Sequence, residues 1–139
     1  LQESEDVVKN AAEMIKNGDV ELGRITKTVV VIDEAQDMDK NEFALIEALM
    51  ERNEEMRVIA VGDDDQNIYQ FRGSDSKYLR SFILDKGAVK YELLENYRSC
   101  PNIVELANLF AETITERMKT DPIIPVRKEN GNVKLIKHF

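Results

Sequence analysis

The sequence predicts an α/β protein with a parallel sheet, and three features of the chain support that prediction. Thr28–Ile32 and Arg57–Val61 are short apolar runs without polar alternation, as in strands buried on both faces of a parallel sheet. Segments with apolar residues at helical spacing alternate with these runs. Dense polar clusters follow the strand candidates, at the place where ligands collect in open α/β sheets.

The other elements follow from local signals. Ser4 is the predicted N-cap of the first helix, Gly18 is its predicted end, and residues 19–27 are predicted to be irregular. The helices are predicted at 4–17, 40–52, 76–84 and 101–119. In the last of them the predicted buried stripe is Ile103, Ala107, Phe110 and Ile114. Further strands are predicted at Val89–Leu94 and Val133–Ile136.

Composition limits the classes of protein to consider. The chain has 139 residues and a net charge of −8, from 19 basic and 27 acidic residues. An acidic balance argues against non-specific binding of nucleic acid by the surface as a whole, since such binding depends on Lys and Arg. No apolar run approaches the length of a membrane span. The single cysteine, Cys100, favours a reducing cytoplasm.

The first polar cluster is Asp33-Glu34-Ala35-Gln36-Asp37, directly after the first strand. A β-branched strand that ends in Asp-Glu has the Walker B pattern. Asp33 is then suited to assist a Mg²⁺ ion bound to nucleotide phosphates, and Glu34 to activate the attacking water. The alternative is that Asp33 and Asp37 only cap the following turn or helix.

The second cluster runs from Val61 to Ser74 and follows the second strand. Its three successive carboxylates, Asp63 to Asp65, repel one another and call for a cation such as Mg²⁺ or an arginine. Tyr69 and Phe71 lie beside Arg72, and such rings with a guanidinium suit the stacking of single-stranded bases. The alternative is that both rings pack in the core.

The third cluster, Leu94-Glu95-Asn96-Tyr97-Arg98-Ser99, precedes the last helix. Tyr97 is suited to stack on a base, and Arg98 to neutralise charge on a γ-phosphate. Taken alone, the pair is better explained by a surface tyrosine and an ion-paired arginine.

Together the three clusters resemble motifs II, III and IV of the UvrD/Rep family of superfamily 1 helicases. The family shows Asp-Glu-x-Gln-Asp, then Val-Gly-Asp-x-x-Gln-Ser-Ile-Tyr-x-Phe/Trp-Arg-Gly-Ala, then Leu-x-x-Asn-Tyr-Arg-Ser. The resemblance covers Val29 to Ser99, about half of the chain. The departures are Asn67 for the usual Ser, Ser74 for Ala, Phe71 where many members have Trp, and Cys100 where Thr or Ser is frequent.

The resemblance implies a role for each matching residue. Asp33 and Glu34 would bind Mg²⁺, with Glu34 as the catalytic base. Gln66 would sense the γ-phosphate of ATP and relay the nucleotide state to DNA. Tyr97 would stack on adenine, and Arg98 would contact the γ-phosphate. The implied track for single-stranded DNA consists of Tyr69, Phe71 and Arg72. The implied activity is ATP-driven translocation on single-stranded DNA, 3′ to 5′, with unwinding at duplex junctions.

The resemblance also implies a partial RecA-like P-loop NTPase fold. We expect residues 1–121 to be the C-terminal part of a first RecA-like motor domain, and 122–139 to be a linker and the first strand of a second. Neither an initiator Met nor the phosphate loop Gly-x-x-x-x-Gly-Lys-Ser/Thr is present, so we expect a fragment that works with missing parts of the same polypeptide. Alone, it is expected to lack ATPase activity and to bind DNA weakly.

Three other functions stay open at this point. A helicase-like half could act as an accessory interaction module, with DNA-repair proteins as possible partners. The motor could be coupled to a nuclease. A P-loop enzyme unrelated to nucleic acid would explain Asp33 and Glu34 but leaves Tyr69, Phe71 and Arg72 without a role.

Overall fold

The computed structural model describes residues 2–68 and 70–137. The chain divides into two compact units, one up to residue 88 and one from residue 89, and each is described by itself. In the first unit the order is α1 (Gln2–Asn17), α2 (Leu22–Ile25), β1 (Val29–Ile32), α3 (Lys40–Arg52), β2 (Arg57–Ala60) and α4 (Lys77–Leu84). In the second it is β3 (Glu95–Asn96), α5 (Pro101–Ala111) and β4 (Ile124–Pro125).

The two strands of the first unit pair in parallel, as predicted. Val29 lies opposite Arg57, and Ile32 lies opposite Ala60. The ladder continues past both strands, because the Val61 N–H donates to the Ile32 carbonyl at 2.8 Å and the Ala35 N–H donates to the Val61 carbonyl at 2.9 Å. The first two polar clusters therefore start at the same edge of the sheet.

The prediction that both strands are buried on both faces is wrong. Val29, Val31 and Ile59 keep 46%, 63% and 51% of their surface exposed, while the alternate positions are half-buried. Among the described residues, no element covers the exposed face of this two-stranded sheet. An apolar run shows that both faces of a strand are suitable for burial. Whether a face is buried depends on which elements pack against it.

The core of the first unit lies where α1 packs on α3. Ile15, Ile25 and Ala48 are buried there, with Val20, Leu45 and Leu49 packed against them. The Arg52 Nε donates to the Ile15 carbonyl at 3.1 Å, which ties the end of α3 to the last turn of α1. Gly18, at φ +81°, ends α1 as predicted. α1 begins at Gln2, so the prediction of Ser4 as its N-cap is wrong, and α2 lies in the segment predicted to be irregular.

Helix α3 begins where the sequence predicts. The Asp39 carboxylate accepts the N–H groups of Asn41 (2.7 Å) and Glu42 (2.9 Å), and the Glu42 carboxylate accepts the Asp39 N–H at 3.0 Å. This capping box satisfies donors that the first turn of a helix leaves unpaired. The Phe43 ring contacts the Tyr78 and Phe82 rings, with centroids 5.1 and 5.6 Å apart, so α4 is held against α3.

The second unit departs further from the predictions. β3 and β4 pair in parallel over two residues each. The predicted strand Val89–Leu94 has no regular structure, and neither has Val133–Ile136; Leu93 and Leu135 are 93% and 100% exposed. α5 ends at Ala111 instead of 119, and its predicted buried stripe is exposed.

These apolar segments have no described surface to pack against, and a strand needs such a partner. No helix of the described residues is long and apolar enough to span a bilayer. The predicted domain boundary at 121/122 stays a prediction.

Candidate functional site

Asp33 and Glu34 occupy a tight turn at the end of β1. Glu34 has left-handed backbone angles, φ 49° and ψ 42°, which residues other than glycine adopt at a cost. The Glu34 N–H donates to the Asp33 Oδ1 at 2.9 Å, which helps to hold this conformation. Both side chains are exposed. The turn therefore presents two carboxylates to solvent at the carboxyl edge of the sheet.

Gln36 is the buried centre of this cluster, with 2% of its surface exposed. Its Nε2 donates to the Glu34 Oε2 at 2.7 Å, and its Oε1 accepts the Asp63 N–H at 3.0 Å. Its main-chain carbonyl accepts the Asn67 Nδ2 at 3.0 Å. One residue thus connects the turn after β1 with the loop after β2.

Gly62 allows this close approach of the two segments. A Cβ added at Gly62 would lie 2.6 Å from the Gln36 Oε1 and 3.2 Å from the Ala35 main-chain nitrogen. Real Cβ atoms do not approach other heavy atoms to 2.6 Å. A side chain at position 62 would therefore displace the Gln36 amide and crowd the main chain at Ala35.

The loop after β2 carries Gln66 and the run of three aspartates. The Asp63 Oδ1 accepts the Asp65 N–H at 3.1 Å, and its Oδ2 accepts the Gln66 Nε2 at 2.7 Å. One carboxylate oxygen from each of Asp63, Asp64 and Asp65 lies within 4.8 Å of the others, a spacing that a cation could bridge. Exposed acidic groups of this kind are common without an ion, so we assign none here.

Asn67 and Ser74, two departures from the family pattern, contact each other. The Ser74 hydroxyl donates to the Asn67 Oδ1 at 3.1 Å, and Ser74 is 5% exposed. The Asn67 amide also donates to the main-chain carbonyl of Gln36. It therefore links the Asp33–Asp37 cluster to Ser74, which follows Phe71 and Arg72 in the chain. The two substitutions form one hydrogen-bonded pair.

Phe71 and Arg72 lie on a short 3₁₀ turn, Gln70–Arg72. The Phe71 ring is 76% exposed, so the alternative that this ring packs in the core is wrong. The Arg72 Cζ lies 5.4 Å from the ring centroid, within the range of a cation–π contact. Tyr69, the other predicted aromatic of the DNA track, lies outside the described residues.

Tyr97 and Arg98 follow β3 in the second unit. The Asn96 Oδ1 accepts the N–H groups of Arg98 and Ser99 at 3.1 and 2.8 Å, which forms the turn that exposes both side chains. The Tyr97 hydroxyl donates to the Glu95 carboxylate, and this hydrogen bond, with the charge of Glu95, raises the pKa of Tyr97 above its ordinary value. The ring of Tyr97 is exposed.

The sequence did not indicate two parts of this arrangement. In the sequence, Gln36 is only one position of a motif. Its hydrogen bonds reach Asp63 and Asn67, which lie 27 and 31 positions further along the chain. The Asn67–Ser74 bond was likewise unpredicted. The available signals were the glycine at position 62 and the fact that both departures fall in one loop.

Comparisons with known proteins give a consistent result. The profile of the UvrD/REP helicase N-terminal domain matches residues 2–86. DNA helicase II of Escherichia coli (strain K12) is 37% identical over 92 residues, which are 66% of this chain and 12% of that protein. The ATP-dependent DNA helicase PcrA of Staphylococcus epidermidis is 39% identical over 87 residues, 62% of this chain and 12% of that protein.

A third relative is a still longer protein, of which this chain matches a smaller share. The RecBCD enzyme subunit RecB of Buchnera aphidicola is 35% identical over 108 residues, 75% of this chain and 9% of that protein. The chain thus spans about one eighth or less of the length of these curated relatives.

The Asn67–Ser74 bond predicts coupled effects on stability. Ser74→Ala should lower the free energy of unfolding by about 1 kcal/mol, because it removes one hydrogen bond, and Asn67→Ser by about 2 kcal/mol, because it also removes the bond to the Gln36 carbonyl. In the double variant the two losses should overlap by about 1 kcal/mol. Urea unfolding of the four proteins measures this overlap.

A matched pair controls for general destabilisation. The Ser76 hydroxyl is also buried but accepts from the Arg80 Nη2 at 3.4 Å, so Ser76→Ala should combine additively with Asn67→Ser. Additive losses for Asn67→Ser with Ser74→Ala would contradict the pairing.

Proposed function

The chain belongs to the UvrD/REP helicase N-terminal domain family, and from this premise we propose that the intact protein carrying it is an ATP-dependent DNA helicase. It would couple ATP hydrolysis to movement along single-stranded DNA, 3′ to 5′, and to unwinding at duplex junctions. The observation that best supports the proposal is the hydrogen-bonded connection from Glu34 through Gln36 to the loop of Gln66. That connection joins the carboxylate suited to hydrolysis with the loop that leads along the chain to Phe71 and Arg72.

Asp33 and Glu34 fit the magnesium and water chemistry of ATP hydrolysis. Hard carboxylate oxygens are the ligands that Mg²⁺ takes in phosphoryl-transfer sites, and both side chains are open to an incoming nucleotide. Mg²⁺, when bound with ATP, would neutralise charge on the phosphates. The Glu34 carboxylate would accept the proton of the attacking water, and the hydrogen bond from Gln36 would orient that carboxylate.

Three further residues would complete the nucleotide site. The Gln66 amide, held by Asp63 at 2.7 Å, would contact the γ-phosphate. By its place in the motif, Arg98 would contact a γ-phosphate and offset its developing charge. The exposed Tyr97 ring would stack on adenine. Arg98 and Tyr97 lie beyond the residues that the family profile matches, so their assignment depends on the motif Leu94–Ser99 alone.

Phe71 and Arg72 would form the DNA track together with Tyr69. An exposed ring with a guanidinium beside it offers a stacking surface and a positive charge, the two features that hold single-stranded bases and phosphates. Because the chain as a whole has a net charge of −8, binding would depend on such local groups and on basic surfaces elsewhere in the intact protein.

The chain alone would not complete the reaction. Hydrolysis requires the phosphates to be held while water and arginine are aligned, and the sequence contains no Gly-x-x-x-x-Gly-Lys-Ser/Thr. We propose that residues 1–121 belong to a first RecA-like domain and 122–139 lead into a second, with the missing parts supplied by the same polypeptide. The cytoplasmic location stays a prediction from composition.

Two variants of this function stay open. A motor coupled to a nuclease would carry a nuclease domain elsewhere in the polypeptide, and one relative is named as the RecB subunit of the RecBCD enzyme. An accessory helicase-like module, with DNA-repair proteins as partners, would have no use for the hydrogen bond that orients Glu34. ATP turnover by the intact protein distinguishes an active motor from such a module.

Replacing the base tests the hydrolysis site directly. In the intact protein, Glu34→Gln should reduce ATP turnover by about 100-fold or more while ATP binding is retained, because the amide cannot accept the proton of water. Glu51→Gln, the same change at an exposed position of α3, is the control. Turnover by the Glu34 variant at the rate of the control would refute the assignment. Phosphate release and equilibrium binding of a non-hydrolysable ATP analogue provide the two measurements.

The DNA track is tested by removing its exposed ring. Phe71→Ala in the intact protein should weaken binding of oligo-dT by about 1–3 kcal/mol, the worth of one stacked base. Phe110 on α5 is 67% exposed, so Phe110→Ala controls for the loss of a surface ring. Fluorescence anisotropy with labelled oligo-dT measures both. Equal affinities for the two variants would remove Phe71 from the track.

A further inference from the structure

We propose that Gln36 is a positioning residue that transmits the position of the loop after β2 to the carboxylate of Glu34. The inference depends on the proposed function, in which Glu34 is the base, and adds a residue through which the base is controlled. It starts from a single side chain, 2% exposed, that contacts both segments.

The two contacts fix the orientation of the Gln36 amide. The Asp63 N–H is a donor only, so the atom 3.0 Å from it must be the amide oxygen. The NH₂ group then faces the Glu34 carboxylate at 2.7 Å and donates to it. Rotating the amide by 180° would lose both hydrogen bonds, so the side chain has one orientation and holds Glu34 through it.

If the loop after β2 moves, the side-chain amide of Gln36 moves with it. Gly62 has no room for a Cβ against the Gln36 Oε1, and the Asn67 Nδ2 holds the Gln36 main-chain carbonyl. The same loop carries Gln66 and leads to the turn with Phe71 and Arg72. A shift of the loop, from the nucleotide or from the DNA side, therefore changes the position of the amide and of the carboxylate that it holds.

The backbone conformation of Glu34 makes its hydrogen bond with Gln36 more important. At φ 49° the residue is in a left-handed conformation that residues other than glycine rarely adopt. The hydrogen bonds to Asp33 within the turn and to Gln36 across it oppose relaxation of the turn. Without Gln36, the carboxylate would keep its chemistry but lose a fixed position, and misplacement of a reacting group by about 1 Å can cost about 100-fold in rate.

The test measures the hydrolysis step apart from ATP binding in the full-length protein that carries this chain. Gln36→Met has a similar length and no amide. We expect its single-turnover rate of ATP hydrolysis, with saturating oligo-dT, to fall by about 10- to 100-fold, while the dissociation constant of a non-hydrolysable ATP analogue stays within about twofold. A rate like that of the wild type would overturn the proposal.

A double variant separates positioning from general damage. If Gln36 acts through Glu34, adding Gln36→Met to Glu34→Gln should lower the remaining hydrolysis rate by no more than about twofold. An equal fall in both backgrounds would show a structural role only and would overturn the proposal. Should Glu34→Gln itself hydrolyse ATP at the wild-type rate, the proposed function fails first; a slow Glu34→Gln protein with a fast Gln36→Met protein refutes this inference alone.

A second variant keeps the test valid if Gln36→Met does not fold. Gly62→Ala displaces the amide without removing it, since its Cβ would lie 2.6 Å from the Oε1. It should reproduce the slow hydrolysis with unchanged analogue binding. Gly23→Ala is the matched control, because no heavy atom lies within 4 Å of a Cβ at Gly23. Equal hydrolysis rates for the two alanine variants would contradict the proposal.

Discussion

The parallel register of β1 and β2 is the constraint on which the candidate site of the first unit depends. Because Val61 and Ala35 extend the ladder beyond both strands, the turn after β1 and the loop after β2 leave the sheet side by side. A shift by one residue would turn every side chain to the opposite face and separate Gln36 from the Asp63 N–H. A side chain in place of the glycine at position 62 would displace the buried amide of Gln36. Sheet geometry, and not the motif residues alone, brings Glu34 and Gln66 into one hydrogen-bonded group.

Charge is distributed unevenly over this group. The turn and loop contain the carboxylates of Asp33, Glu34 and Asp63 to Asp65, an arrangement unfavourable for phosphates unless cations join it. In the proposed function Mg²⁺ and the arginines of the complete enzyme would offset this charge. In the proposed function, the exposed ring of Phe71 would contribute stacking that does not depend on net charge, which suits an acidic chain.

The sequence predicted those features that local signals determine. Asp39 and Glu42 form the capping box at the predicted start of α3, Gly18 ends α1, and both β-branched runs are strands. Burial was predicted poorly: Val31 is exposed and the segment Val89–Leu94 forms no strand, because these outcomes depend on surfaces that other segments must supply. The same limit applies to the site. Motif spacing predicted Glu34 and Gln66 as candidates, whereas the contacts of Gln36 cross 27 or more residues and follow only from the fold.

In the proposed function, the residues for hydrolysis and those for DNA form one connected unit. The most direct test is the rate of ATP hydrolysis by the full-length wild-type protein, measured with and without saturating oligo-dT. If the loop between Gly62 and Arg72 connects the two functions, single-stranded DNA should raise the hydrolysis rate several-fold at saturating ATP. The same rate in the presence and absence of DNA, under conditions where DNA binding is demonstrated, would contradict the account.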